Sequence, residues 1–281
     1  MRQSTKNLLF IALTLVMIQR YCTVVEAYVL QGPHILTLMI QNLGKAKRLL
    51  VSQRVIIHDT AVGRDRPEVE ETVRYAFPET FRSDIFSETT QRIYVFAKGV
   101  ELTVIDERAS IGGETRFDQY KDILLFHSRI MLAERLSAAG IDVSISSLGR
   151  FEGKIAFVVG GEYPDETRSQ VWIEKETFRP LRWILKSGSA ENPNGTLEFR
   201  YKNWQQFDTA VYPMQIEFVQ DGILVRQIQV DTVTVDPVFV ENLFNIDYLQ
   251  SRYLPKIPEK QEAEKLNEVQ KAIEEFKKRY E

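Results

Sequence analysis

Three histidines are the side chains best suited to act as general bases near neutral pH: His34, His58 and His127. His58 precedes Asp59, and a neighbouring carboxylate can orient a catalytic imidazole. Adjacent residues of a strand point to opposite faces, however, so a direct pair is not expected there. His127 stands beside Ser128 in a predicted helix, where a histidine at the boundary of the core explains it. The histidines therefore give little support to acid–base catalysis.

Other catalytic patterns are missing from the sequence. It contains no Gly-x-Ser-x-Gly elbow, no Ser-x-x-Lys, no His-Glu-x-x-His helix and no Gly-rich phosphate loop followed by Lys-Ser or Lys-Thr. Carboxylates are plentiful, and two from distant strands could converge as in glycosidases, but nothing selects a pair. We predict that the protein is not an enzyme and uses no cofactor.

The composition points away from two further classes of partner. Thirty-six Lys and Arg stand against 39 Asp and Glu, which gives a net charge of −3 and an isoelectric point near 5.8. A protein without basic excess is a poor partner for a nucleic-acid backbone, so none is predicted. Three His and one Cys also leave too few soft ligands for a zinc or iron–sulfur site, and no metal is predicted.

The N-terminus has the features of an export signal. Arg2 and Lys6 precede an apolar run at residues 8–18, which is too short to cross a bilayer. Val25 and Ala27 then supply small residues at the positions that signal peptidase reads. We predict a signal peptide over residues 1–27, cleavage after Ala27, and a periplasmic protein of a two-membrane bacterium. An uncleaved anchor or a buried helix remains the alternative.

Residue periodicity beyond the signal predicts an α+β fold. Helical spacing indicates helices at 34–43 and 117–139. Alternation predicts a strand at 69–77, with one exception at Glu71, where a polar residue takes an apolar position. Further strands are predicted at 80–87, 91–97, 100–106, 141–148, 154–160, 169–174, 181–186, 196–201, 214–219 and 223–235. Many antiparallel strands with two helices suggest one highly curved sheet, an incomplete β-barrel covered by helices.

The C-terminal tail has a different composition. Residues 259–281 are nearly all helix formers, and a heptad seam runs through Leu266, Val269, Ile273, Phe276 and Tyr280. We therefore divide the chain into a signal peptide at 1–27, an open-barrel domain at 28–250 and a charged amphipathic helix at 251–281. The tail helix is expected either to lie on the sheet domain or to bind a partner, with fraying as a third alternative.

Several predicted strands carry bulky apolar residues: Trp172, Trp183, Leu197, Phe199, Tyr201 and Phe218. Most of them are expected to fill an ordinary core between sheet and helices. A curled sheet under a loose helical lid would also provide a dry cavity for an apolar ligand, worth about 0.8 kcal/mol for each buried methylene. An exported acidic protein with such a face fits a carrier better than an enzyme.

At this point the residues resemble a family. Residues 75–82 (Tyr-Ala-Phe-Pro-Glu-Thr-Phe-Arg) are similar to the strand–Pro–x–x–aromatic segment of LolA-like periplasmic lipoprotein carriers. Residues 93–102 resemble the hairpin of that family, and residues 171–182 resemble a strand–turn–Pro stretch of the wider superfamily. The resemblance covers roughly residues 34–246 and depends on the order of several short, degenerate matches.

The resemblance implies an incomplete barrel whose apolar cavity holds the acyl chains of a lipoprotein or lipid, and a role in lipoprotein transport as a carrier or chaperone. Phe81 matches an aromatic residue at the cavity of the carriers. Their lid-closing Arg is replaced by Phe77, which is expected to hold the lid by apolar packing or to mark a side branch with different cargo. Six residues are predicted to line or gate the cavity: Phe77, Phe81, Ile93, Val95, Leu102 and Val104.

A second hypothesis keeps the same barrel but gives it another role. Superfamily relatives of the envelope-stress regulator type bind a partner protein, and here the seam from Leu266 to Tyr280 would recognise such an envelope protein. The expected partners are therefore lipoprotein acyl chains or lipid, an envelope protein through the C-terminal helix, and transiently a membrane.

Overall fold

A computed structural model describes residues 29–59, 64–65, 68–87, 90–111, 113–186 and 195–253, together with Lys271 and Glu275. The predicted signal peptide lies outside these ranges. The predicted tail helix also lies outside them, apart from Lys271 and Glu275, which are helical.

Seven strands form the N-terminal half of the sheet: β1 (Arg48–Asp59), β2 (Arg64–Asp65), β3 (Val69–Ala76), β4 (Thr80–Phe86), β5 (Gln91–Ala97), β6 (Val100–Ile105) and β7 (Arg108–Ile111). Seven form the C-terminal half: β8 (Ser146–Phe151), β9 (Lys154–Val159), β10 (Gln170–Glu174), β11 (Pro180–Lys186), β12 (Thr196–Phe207), β13 (Ala210–Gln220) and β14 (Ile223–Val235). Buried and more exposed residues alternate along β3, whereas β9, β10 and β11 have consecutive buried residues because apolar clusters cover both of their faces.

The strands form one antiparallel sheet. Its order is β7-β6-β5-β4-β3-β1-β14-β13-β12-β11-β10-β9-β8, and β2 pairs with β1 beside this path. Strands β1 and β14 join the two halves, and beyond their last pair Asp236 Oδ1 accepts hydrogen bonds from the backbone N–H of Lys47 and Arg48, at 2.7 and 2.9 Å. Within the described residues β7 and β8 are the two ends of the sheet. The predicted curved, incomplete barrel is confirmed.

Between residues 29 and 253, the described part of the chain has four helices beside the sheet. They are α1 (Gly32–Leu43), α2 (Asp122–Leu125), α3 (Arg129–Ala138) and α4 (Ile246–Tyr253), and a 3-10 turn at Arg116–Lys121 leads into α2. Of the helices that the structure describes, none has both the length and the apolar character needed to cross a membrane. Helix α1 confirms the helix predicted at 34–43.

The single helix predicted at 117–139 is wrong, because the segment is divided into the 3-10 turn, α2 and α3. A capping box between Thr115 and Asp118 starts the turn. Phe126 and Ser128 have extended backbone angles and interrupt the helix. The side chains at the break pack against the sheet, where Phe126 meets Phe96 with ring centroids 5.9 Å apart. Tertiary packing therefore outweighs the local helical preference of this segment.

Strand boundaries differ from the predictions at three places, and β1 and β2 have no counterpart among the predicted strands. The strand predicted at 141–148 begins only at Ser146, because the Asp142 side chain accepts hydrogen bonds from the N–H and hydroxyl of Ser144 and forms a turn. Strands β12 and β13 extend beyond their predicted bounds into a longer hairpin. Strand β7 was not predicted and pairs with β6.

The two faces of the sheet carry separate apolar clusters. The inner face packs against α1, the 3-10 turn, α2 and α3 in the main core. The outer face carries two smaller clusters, one over β5–β7 beneath α4 and one centred on Trp172. We call α1, the 3-10 turn, α2 and α3 together the lid.

Candidate binding site beneath the lid

Large side chains that are almost fully buried line the inner face. They come from strands of both halves of the sheet: Tyr75, Phe81, Tyr94, Trp183, Phe199, Tyr201, Tyr212 and Phe218. Because alternate residues of a strand share a face, the spacing of Val69, Val73 and Tyr75 on β3 puts all three on this side. The inner face is thus a continuous aromatic and aliphatic surface.

The underside of the lid is equally apolar. It contributes ten buried residues to the same core: Ile35, Leu36, Met39 and Leu43 of α1, Tyr120 of the 3-10 turn, Ile123, Leu124 and Leu125 of α2, and Leu132 and Leu136 of α3. In α1 and α3, spacings of three and four residues place them on one side of the helix, whereas Ile123, Leu124 and Leu125 of the short α2 are consecutive and all buried. The lid and the inner face therefore bury each other.

Phe77 connects the end of β3 to the break in the lid. Its ring stacks on the ring of His127, with centroids 3.8 Å apart and planes at 8°, and it also stacks on Tyr75 at 5.8 Å. The backbone N–H of His127 donates to the carbonyl of Pro78 at 3.3 Å. Burial lowers the pKa of His127 to about 4, so its imidazole is neutral at pH 7. We call the Phe77–His127 stack the latch.

A compact ion-pair cluster fixes the lid on itself and on β5. The ammonium group of Lys121 pairs with Glu114 and, at 3.0 Å, with Asp122, and Arg135 of α3 pairs with the same two carboxylates. Lys121 Nζ also lies 5.6, 5.3 and 6.0 Å from the ring centroids of Phe81, Tyr94 and Phe96. Burial lowers the pKa of Lys121, but the two carboxylates raise it by more, and the amine stays charged.

A second buried pair links the lid to the sheet. The guanidinium of Arg92 on β5 binds the carboxylate of Asp118 in the 3-10 turn through two hydrogen bonds of 2.9 and 2.6 Å. Burial alone would raise the pKa of Asp118, and the charges of Arg92 and Lys121 lower it to about 2. The lid is therefore held by paired charges at the 3-10 turn and by the latch at its break.

Glu71 on β3 differs from these paired groups. Its carboxyl accepts hydrogen bonds from Gln53 Nε2 at 2.7 Å and from Ser83 Oγ at 2.5 Å, and its residue is 6% exposed. Burial raises its pKa more than these two hydrogen bonds lower it. The carboxyl thus lies in the core among neutral partners, where its protonated form is favoured.

Two small spaces remain between the lid and the sheet. One, of about 10 Å³, lies behind the latch and is lined by residues that include Leu43, Leu49, Leu124, Ala210 and Tyr212. The other, of about 30 Å³, lies between the 3-10 turn and the inner face and includes Glu71 in its lining. In this closed form the inner space is filled by side chains of the protein. Across the described ranges, no three His, Cys, Asp or Glu side chains are grouped to hold a metal ion.

The structure divides the six predicted site residues between the two faces. Phe77 and Phe81 belong to the inner core, where the Phe81 ring meets Tyr75 at 5.1 Å and Tyr94 at 6.1 Å. The other four lie together on the outer face beneath Leu249 of α4: Ile93, Val95, Leu102 and Val104. Contact of any of the six with lipid stays a prediction, and for the last four it would require α4 to move away.

The sequence analysis missed Lys121, Asp122 and Arg135, because charged residues in an amphipathic pattern normally mark a solvated face. Glu71 gave a usable signal, since it interrupted an otherwise regular alternation. In the structure this exception points inward and is buried. A polar residue at an apolar position of a strand was therefore the one local indication of a polar site in the core.

Neither a protein-family model nor a curated protein sequence matches this chain. Solved structures do. A domain assigned as an outer membrane lipoprotein-sorting protein from Vibrio parahaemolyticus is 12% identical, with a TM-score of 0.54, over 78% of this chain and 98% of that one. A LolA superfamily protein from Nitrosomonas europaea is 10% identical, with a TM-score of 0.52, over 78% of this chain and 100% of that one. This chain has a LolA-like fold.

A third LolA-like match has no transport function in its name. It is a DUF1329 family protein from Desulfovibrio piger, 12% identical with a TM-score of 0.53, over 78% of this chain and 98% of that one. At such low identity the three likenesses establish the LolA-like architecture of the sheet and its lid. The function has to be argued from the residues of this chain.

Proposed function

We propose that the protein is a periplasmic carrier or chaperone that binds the acyl chains of lipoproteins or lipids between the inner face and the lid. The observation that carries the proposal is the pairing of two apolar surfaces, a strand face and a helical lid, that join mainly through side-chain packing. Because the lid shares no sheet hydrogen bonds with the inner face, it can separate without breaking the sheet. The name of the Vibrio parahaemolyticus structure supports the same class of cargo.

Binding requires the lid to open, because the closed inner space is too small for an acyl chain. The spaces of about 10 and 30 Å³ compare with roughly 300–1,000 Å³ for typical ligand pockets. A chain of about 15 methylenes would contribute on the order of 12 kcal/mol when buried. This contribution would offset the apolar contacts that the lid loses, so cargo and lid compete for the same surface.

The latch provides the test. In a Cys22→Ser background, Phe77→Cys and His127→Cys would be joined by a short bis-maleimide. The full chain would be exported in a two-membrane bacterial host, purified without detergent and analysed by native mass spectrometry. We expect acyl-chain mass on the unmodified protein. We also expect the crosslinked, delipidated form to take up no added lipid, while each single-Cys variant does.

Two results would contradict the carrier. One is an unmodified protein that carries no lipid and takes up none when lipid is supplied. The other is a crosslinked protein that takes up lipid as fast as the single-Cys controls. Mass spectrometry of the crosslinked peptide confirms that the lid was joined to the strand in the sample tested.

A second candidate is an envelope sensor or scaffold with the same LolA-like fold. It is favoured by two exposed apolar residues in the segment between β14 and α4, Val238 at 91% and Val240 at 73% exposure, which are free to contact another protein. Deletion of residues 259–281 separates the candidates. If the truncated protein no longer binds a partner protein but still binds lipid, the sensor is favoured. If it binds the same partner proteins as the full chain, the tail has no part in partner binding.

A further inference from the structure

The cavity of about 30 Å³ beneath the 3-10 turn combines an apolar wall with one carboxyl group that has no cationic partner. The wall is formed by aliphatic residues of the sheet: Val55, Ile57, Val69, Ile85 and Ile228. Phe117, Asp118 and Tyr120 of the lid cover it, and Arg226 stacks over Phe117 at 4.4 Å beside it. At roughly 10–15 Å³ for each water, it has room for about two.

Two arginines line this cavity beside Glu71. Arg92 pairs with Asp118, and Arg226 lies over the rings of Phe117 and Phe218. Glu71, by contrast, accepts hydrogen bonds from the neutral groups of Gln53 and Ser83. Burial favours the neutral form of this carboxyl, and a neutral carboxyl can both donate and accept.

Gln53 adds unused hydrogen-bonding capacity next to Glu71. Its Nε2 also donates to the hydroxyl of Tyr120 at 3.3 Å, but its Oε1 is buried without a hydrogen-bond partner among the described residues. The residue is 1% exposed. Oε1 is an acceptor, so it can take a ligand donor such as an amide N–H but not a carbonyl oxygen. Toward a ligand carbonyl, Gln53 contributes by holding the carboxyl of Glu71 through Nε2.

We propose that Glu71, held in place by Gln53 and Ser83, donates its carboxyl proton to the ester or amide carbonyl of an acyl ligand whose chain lies along the aliphatic wall of Val55, Val69 and Ile228. The site rests on the proposed acyl-binding function and adds its polar determinant. A neutral carboxyl donor favours a neutral carbonyl over a free carboxylate at this position. The raised pKa of Glu71, caused first by burial, agrees with a carboxyl that donates its proton.

Matched lipid probes test this directly. A monoacylglycerol and the monoalkylglycerol ether of the same length differ by one carbonyl, and their affinities can be compared by displacement of a bound fluorescent dye. We expect the full chain to prefer the ester by about ten-fold, the effect of one buried hydrogen bond. In Glu71→Leu the preference should fall below about two-fold. Glu70→Leu is the matched control, since Glu70 is exposed on the opposite face of the same strand.

The outcomes separate this site from the proposed function. Failure of the unmodified protein to bind either probe overturns the carrier and the site together. Equal affinity for ester and ether, tighter binding of the free fatty acid, or a preference that survives in Glu71→Leu overturns the site and leaves the carrier standing. If Glu71→Leu does not fold, Gln53→Met replaces it and is expected to reduce the preference in the same direction.

Discussion

The ring of Phe77 lies flat on the ring of His127, with 3.8 Å between centroids, and this stack ties the end of β3 to the interruption between α2 and α3. The LolA-like carriers that the sequence resembles place an Arg at the position of Phe77. Here an aromatic contact with a neutral histidine occupies that place. A contact of this kind is governed by packing and by the protonation of His127 rather than by an ion pair.

Removal of the latch should loosen the lid locally. Phe77→Ala deletes a stacked aromatic contact worth about 0.5–1.5 kcal/mol. We expect the backbone amide of His127, which donates to Pro78, to exchange its hydrogen several-fold faster, as measured by hydrogen exchange. The matched control is Phe178→Ala, because Phe178 stacks on Phe157 at 5.7 Å away from the lid. If the amide of His127 exchanges equally fast in Phe178→Ala, the Phe77–His127 stack is not a specific contact of the lid.

Acidification should weaken the closed form through His127. Its pKa is about 4 in the folded protein and near 6.5 when solvated, so the unfolded chain binds more protons between these values. The contribution of neutral His127 to the free energy of unfolding is fully present above pH 6.5. It decreases as the pH falls towards 4, by up to about 3 kcal/mol. Urea unfolding at several pH values measures the decrease.

The variant His127→Phe isolates this effect, because it keeps a stacked ring and removes the titrating group. We expect a smaller loss of stability on acidification in His127→Phe than in the unmodified protein. Glu71 acts in the opposite direction, since its raised pKa makes it more favourable at low pH, and it is common to both proteins. Identical pH profiles of stability for the two proteins would show that protonation of His127 does not destabilise the closed lid.

Lys121 should be among the most sensitive charged positions. Lys121→Met leaves Glu114 and Asp122 buried with Arg135 alone, and breaking a buried pair in this way costs about 3–5 kcal/mol. Arg54→Met is the control, because Arg54 also pairs with two carboxylates, those of Glu68 and Asp231, but at the surface. A much smaller loss is expected there. Similar urea midpoints for both variants would contradict a structural role for burial of Lys121.

The outer-face cluster beneath α4 should matter for the stability of the protein and not for lipid binding. Leu249 of α4 is 4% exposed and covers Ile93, Val95, Leu102 and Val104. Leu249→Ala should cost about 2–5 kcal/mol in urea unfolding, whereas Tyr248→Ala, at a residue that is 43% exposed, should cost little. Loss of bound lipid in Leu249→Ala at unchanged stability would instead place these four residues in the lipid site.

The sequence predicted the sheet better than it predicted the site. Alternation along β3 indicates directly that this strand exists, since a two-residue period depends only on local order. The side on which a strand packs depends on what covers it. Ile93 and Val95 were therefore grouped with Phe81, although α4, which comes much later in the chain, turns them into an outer core.

The lid shows the same limit of prediction from local sequence patterns. A continuous helical period over 117–139 gives no sign that Phe126 and Ser128 are extended, because the break is stabilised by contacts of Phe126 with Phe96 and of His127 with Phe77, in distant parts of the chain. The buried ion pairs of Lys121 and Arg135 are likewise invisible to periodicity. Glu71 was visible as an exception in its strand, but its neutral surroundings became known only from the folded arrangement.

The pairing of β1 with β14 also determines when the protein can fold. Arg48 and Asp236, which close the end of this pairing, are 188 residues apart in the chain. During synthesis β1 is made early and one of its two edges stays unpaired until nearly the whole domain has emerged. Contacts between residues this far apart in the chain slow folding, so the pairing of β1 with β14 is expected to form late. The centre of the sheet is then the last part of the domain to become ordered, although its two ends can form from neighbouring hairpins.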